Sequence, residues 1–99
     1  MEDSNKKHLL KRDDPRLAYT LDEIFDAINR CEEDAMQEFI DDGRESGVLQ
    51  MWVPLNTRLV TDDQIDQIMA EYANNNWSRF EVERHDEDGR KSLYICLYI

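Results

Sequence analysis

Two stretches of this chain begin helices in the same way, and together they divide it into an alternating order of elements. Thr20-Leu21-Asp22-Glu23 and Thr61-Asp62-Asp63-Gln64 each set a hydroxyl three residues before Glu or Gln. At that spacing the hydroxyl accepts from a first-turn amide, and the longer side chain reaches back to the amide of the threonine. Tyr19 with Ile24, and Val60 with Ile65, supply the apolar pair that brackets each start. Asp22 and Glu23 stand where the positive end of the helix dipole favours carboxylates.

Behind the first start, Leu21, Ile24, Phe25, Ile28, Cys31, Ala35 and Phe39 recur at helical spacing, with Asp26, Arg30, Glu33, Asp34, Gln37 and Asp41 opposite. Gly43 and Gly47 frame the exit. The second helix is predicted to line one face with Ile65, Ile68, Met69, Tyr72 and Ala73, and to stop at Asn74-Asn75-Asn76, since Asn tolerates the left-handed conformation.

Three runs read as strands. Val48 to Leu55, closed by Pro54, has Gln50 as its one polar residue before the proline and is expected to be covered on both faces. Phe80 and Val82 alternate with Glu81 and Glu83, and Asp86-Glu87-Asp88-Gly89 follows as a hairpin turn. The last strand sets Leu93, Ile95, Leu97 and Ile99 on one face and Tyr94, Cys96 and Tyr98 on the other, which suits a central position. A right-handed crossover through the second helix makes the first two strands parallel, with the third antiparallel between them. The expectation is an α+β fold in one small domain: a three-stranded sheet in order 1-3-2, with two helices packed on one face. It spans residues 19–99, after a mobile polar tail at residues 1–18.

Charge narrows the function. The chain carries −11 over 99 residues, and residues 21–47 hold ten Asp or Glu against Arg30 and Arg44 alone. A solvated acidic stripe repels nucleic acid and membrane surfaces and suits a basic protein partner. No run approaches the roughly 18 apolar residues of a membrane span, and Met1 to Arg16 offers no secretory signal. A cytoplasmic protein follows from that reading. Cys31 and Cys96 lie inside elements and are expected as reduced, partly buried thiols, a helix-to-strand disulfide being the alternative.

No catalytic or cofactor motif stands out. Gly43, Gly47 and Gly89 form no phosphate loop, and His8 and His85 lack a His or Cys neighbour at zinc-ligand spacing. The acidic turn after His85 lacks the ligand pattern of a calcium loop. No cofactor and no metal are expected. Glu32 breaks the pattern, falling among Phe25, Ile28 and Phe39 on the apolar side. It reads either as a general acid or base in a pocket, or as a carboxylate that meets water or Arg58 at a sheet edge.

The Thr20-Leu21-Asp22-Glu23 start, the strand Val48 to Val53, and the Thr61 helix running through Asn76-Trp77 into a hairpin ending at Ile99 give the chain a familiar form. It resembles the small acidic accessory proteins that phages encode, the anti-CRISPR and host-inhibitor type. That resemblance implies a protein of the host cytoplasm that inhibits a basic, nucleic-acid-handling host protein, with carboxylates standing in for phosphates as a DNA mimic does.

The leading expectation is thus a non-enzymatic binder. Asp22, Asp26, Glu33, Asp34, Glu38 and Asp41 would engage a basic groove on a protein, with no direct nucleic-acid binding and no membrane contact. The alternative is a structural or assembly protein that forms a homodimer through Tyr94, Cys96 and Tyr98.

Overall fold

The computed structural model describes residues 9–99, so the part of the expected tail at residues 1–8 lies outside the described residues. Within residues 9–18 the chain makes a 3-10 turn, Pro15–Leu17, capped by the Asp14 carboxylate.

Helix α1 runs over Leu21–Asp41 and helix α2 over Asp62–Asn74, and both capping boxes are complete. Thr20 Oγ1 accepts from Glu23 N at 3.1 Å while Glu23 Oε1 accepts from Thr20 N at 2.8 Å. Thr61 and Gln64 repeat this at 3.1 and 3.0 Å. Gln64 also donates from Nε2 to the Tyr19 carbonyl at 2.7 Å, and Tyr19 Oη accepts from Asn56 N at 2.8 Å. The two helix starts are thereby stitched together through side chains.

Both helices end on a left-handed residue that returns the chain: Gly43 at φ 73° and Asn76 at φ 74°. Beyond them Arg44 N donates to the Phe39 carbonyl and Trp77 N to the Tyr72 carbonyl, which satisfies carbonyls the helix leaves unpaired.

Strands β1 (Val48–Val53), β2 (Phe80–Glu87) and β3 (Arg90–Tyr98) form one sheet in the order β1-β3-β2. β3 runs antiparallel to both neighbours, so β1 and β2 are parallel across it, as the crossover rule requires. Val48 faces Tyr98 and Val53 faces Leu93, while Phe80 faces Leu97 and Glu87 faces Arg90. The hairpin is tighter than the sequence suggested. β2 continues to Glu87, and only Asp88 (φ 51°) and Gly89 (φ 76°) turn, the positive pair that matches strand twist.

α1 packs over β1 and α2 over β2, both on one face. The core between them holds Ile24, Ile28 and Ala35 of α1, Ile68 and Tyr72 of α2, and Leu49, Met51, Val53, Leu93, Ile95 and Leu97 of the sheet. Burying each large aliphatic side chain contributes about 1.5–3 kcal/mol.

Four expectations need correcting. β1 is covered on one face only: Gln50 and Trp52 alternate outward, and Trp52 is 55% exposed. The apolar sequence there reflects an aromatic face that no described element covers, not a second layer. Leu55 stays buried but lies beyond the strand. Ile99 also lies past its strand and is exposed, its amide donating to the Gly47 carbonyl. On α2, Met69 and Ala73 are exposed, because at about 3.6 residues per turn they fall to the side of the stripe that Ile65, Ile68 and Tyr72 turn inward.

Candidate functional site

The six predicted carboxylates, Asp22, Asp26, Glu33, Asp34, Glu38 and Asp41, are all exposed on α1. At about 3.6 residues per turn they fall into two ranks. Asp22, Asp26 and Glu33 lie opposite the buried stripe of Ile24, Ile28 and Ala35, whereas Asp34, Glu38 and Asp41 lie along one flank, Glu38 beside β1. Arg30 is the one cation in the helix. Among the described residues the ion pairs are Asp14 with Arg16, Asp62 with Arg84 and Glu83 with His85, so none of the six is neutralised by a neighbour. Asp41 accepts a 2.8 Å hydrogen bond from Gln37.

The placement of these acids works against the helix. Glu38, Asp41 and Asp42 crowd its C-terminal end, and no basic residue occupies the last turn. There the dipole disfavours negative charge by about 0.3–1 kcal/mol per group. Asp34, Glu38 and Asp42 are also spaced four apart, so like charges stack along one flank. Asp22 and Glu23 have a local structural reason to be acidic; in the C-terminal group only Asp41, bonded to Gln37, has a local partner among the described residues.

Glu32 is half-buried, and the protein group that meets it is Tyr72 rather than Arg58: the Tyr72 hydroxyl donates to Glu32 Oε2 at 3.0 Å. Burial first, and then the Glu32 charge, push the Tyr72 phenol well above its ordinary range, so it stays protonated and holds the bond. The pair bridges α1 and α2. Beside it lies a groove of about 540 Å³, lined by Glu32, Glu33, Met36, Leu49, Met51 and Trp77 among others. Among the described residues the side chain bonded to Glu32 is a phenol held in its neutral form.

The other predicted surface is split by depth. Tyr94 and Tyr98 are half-buried on the face opposite the helices, but Cys96 between them is only 2% exposed. It is therefore packing beneath the two rings and not a contact residue. Register adds neighbours that the strand sequence alone did not assign: Gln50 and Trp52 from β1, and Glu81, Glu83 and His85 from β2. Trp52 packs on Tyr94 at 4.5 Å and on His85 at 5.1 Å between ring centres. Gln50 Nε2 donates to Tyr94 Oη at 3.0 Å, and Tyr98 Oη donates to Glu81 Oε2 at 3.0 Å. Arg79 lies 4.9 Å above the Tyr98 ring. Period-two reading of Val48, Gln50 and Trp52 was the signal available for this face.

Among the described residues no three His, Cys, Asp or Glu side chains gather as a metal site, and no helix is long and apolar enough to cross a membrane. Comparison with protein-family models, with curated proteins and with solved structures gave no match to this chain.

Proposed function

We propose that this protein is a non-enzymatic binding module whose acidic α1 helix engages a basic surface on another protein. The observation that carries the reading is the exposed group Asp34, Glu38, Asp41 and Asp42, which has no ion pair among the described residues and whose last three members stand at the end of the helix where carboxylates cost stability. Charge placed against local stability is accounted for by a positive partner. The resemblance to small acidic phage proteins extends the reading to an inhibitor of a host protein that binds nucleic acid, the carboxylates occupying a phosphate-binding surface. Such binding weakens steeply with salt. Charge reversal at Asp34, Glu38 and Asp41 tests it: the variant is expected to lose the partner while keeping its fold, and retained binding would refute it.

A second reading rests on a different observation, the exposed Trp52 stacked on Tyr94 on a face that no described element covers. Self-association there predicts a dimer that persists in moderate salt and is broken by Tyr98→Asp. A monomer at high concentration would count against it.

A further inference from the structure

We infer that the edge of β1 that no described strand pairs accepts an extended, basic segment of the partner as a fourth strand, with its Lys or Arg side chains set against Glu38 and Asp42. This inference rests on the acidic-helix reading and names the mode of binding.

The sheet has two edges, and they differ. β2 is guarded by Glu81, Glu83, Arg84, His85, Asp86 and Glu87, the kind of charge that discourages pairing. Arg84 also clamps that side, donating to the Val60 carbonyl and the Asp62 carboxylate. β1 is Val-Leu-Gln-Met-Trp-Val, with no charge and no proline inside it.

The main-chain direction along β1 follows from two bonds. Ile99 N donates to the Gly47 carbonyl, so Gly47 points toward β3, and alternation turns Leu49, Met51 and Val53 the same way. Val48, Gln50 and Trp52 then point outward. Ser46 Oγ occupies both outward groups of Val48, accepting from its N–H at 3.2 Å and donating to its carbonyl at 2.8 Å. At the other end Pro54 has no N–H to offer. Between these stops, Gln50 and Trp52 present N–H and C=O groups to an incoming strand. Among the described residues only the Trp52 carbonyl has a contact, the Cys31 thiol at 3.9 Å.

A groove of about 260 Å³ runs beside this edge, lined by Ala35, Glu38, Phe39, Asp42, Val48 and Gln50 among others. An added strand sends alternate side chains into it. Phe39 and Ala35 supply an apolar wall, and Glu38 and Asp42 supply negative charge. That chemistry selects a cationic occupant. A second copy is the poorer fit, because β1 carries no cation and pairing two β1 edges sets two acidic α1 helices side by side on one face.

The test uses a defined probe: an acetylated, amidated Lys-Val-Lys-Val-Lys-Val peptide and its counterpart N-methylated at every residue, which keeps the charge but cannot pair as a strand. Binding to the full-length protein is measured at low salt, with amide hydrogen exchange read at Gln50 and Trp52. The inference expects the parent peptide to bind, to slow exchange at both amides, and to bind about tenfold or more tightly than the methylated one. Gln50→Pro, which removes an outward N–H and no bond to β3, is expected to give the same loss. Equal binding of the two peptides would overturn strand addition and leave the acidic reading standing; no binding of either would contradict both. Protection at Gln50 and Trp52 that rises with protein concentration in the absence of peptide would overturn it in favour of a second copy.

Discussion

The Tyr72 hydroxyl donates a 3.0 Å hydrogen bond to Glu32 Oε2 and so fastens α2 to α1. A hydrogen bond to a charged group in a partly buried setting contributes about 1.5–3 kcal/mol. Tyr72→Phe keeps the ring and loses the bond, leaving Glu32 without its donor. It is expected to lower stability by about 1–3 kcal/mol in urea unfolding. Glu32→Gln, which still accepts through its amide oxygen, should cost less. Equal, negligible effects would show that the bridge contributes nothing.

The same contact sets a pH dependence. Tyr72 holds its proton to higher pH in the folded chain than in the unfolded one, where tyrosine ionises near about 10. Its contribution is therefore complete below about pH 10 and is lost as pH rises beyond that. Urea midpoints taken from about pH 8 to about pH 11 should fall at the alkaline end, with a shallower fall in Tyr72→Phe.

Neutralising a carboxylate at the C-terminal end of α1 should stabilise the protein. Glu38 lies between Asp34 and Asp42 at four-residue spacing, at the negative end of the helix. Glu38→Gln is expected to raise stability by roughly 0.3–1 kcal/mol at low salt, with the gain shrinking as salt is added. A thermal melt checks this. A drop in stability would mean that the acid serves the fold.

Much of the architecture was legible in local chemistry. Thr20 with Glu23 and Thr61 with Gln64 marked both helix starts, Asn76 supplied the left-handed stop, and alternation in β3 placed that strand at the centre. What escaped was non-local. Glu32 and Tyr72 are 40 residues apart, and the periodicity of one helix does not tell which azimuth its neighbour presents. Trp52 was read as covered because an apolar strand looks the same under a second layer as on an open aromatic face. Of the acidic surface, the residues were visible, but that Glu33 lines one groove and Glu38 the other was not.

Thiol reactivity reports the depth of the two cysteines. Both are free, Cys31 half-buried and Cys96 buried. Burial, followed by the nearby Asp34 charge, pushes the Cys31 thiol up. In the native protein Cys31 should react slowly with a disulfide reagent and Cys96 only on unfolding. Prompt labelling of Cys96 would contradict the packing beneath Tyr94 and Tyr98.

Gln64 joins the two helix starts, so it should matter more than an ordinary capping residue. Thr20→Ala is expected to cost about 1 kcal/mol, and Gln64→Ala more, since it frees both the Thr61 amide and the Tyr19 carbonyl. Chemical denaturation of the two variants compares them directly.

The most direct test of the acidic-helix account is a paired capture experiment from a bacterial lysate, with the wild type and an Asp34→Lys, Glu38→Lys, Asp41→Lys variant shown by circular dichroism to be folded. Each is run at low and at moderate salt. The account predicts a basic protein that the wild type retains at low salt, that moderate salt releases, and that the variant never holds. A partner held equally by both forms, or released by neither salt nor charge reversal, would contradict it.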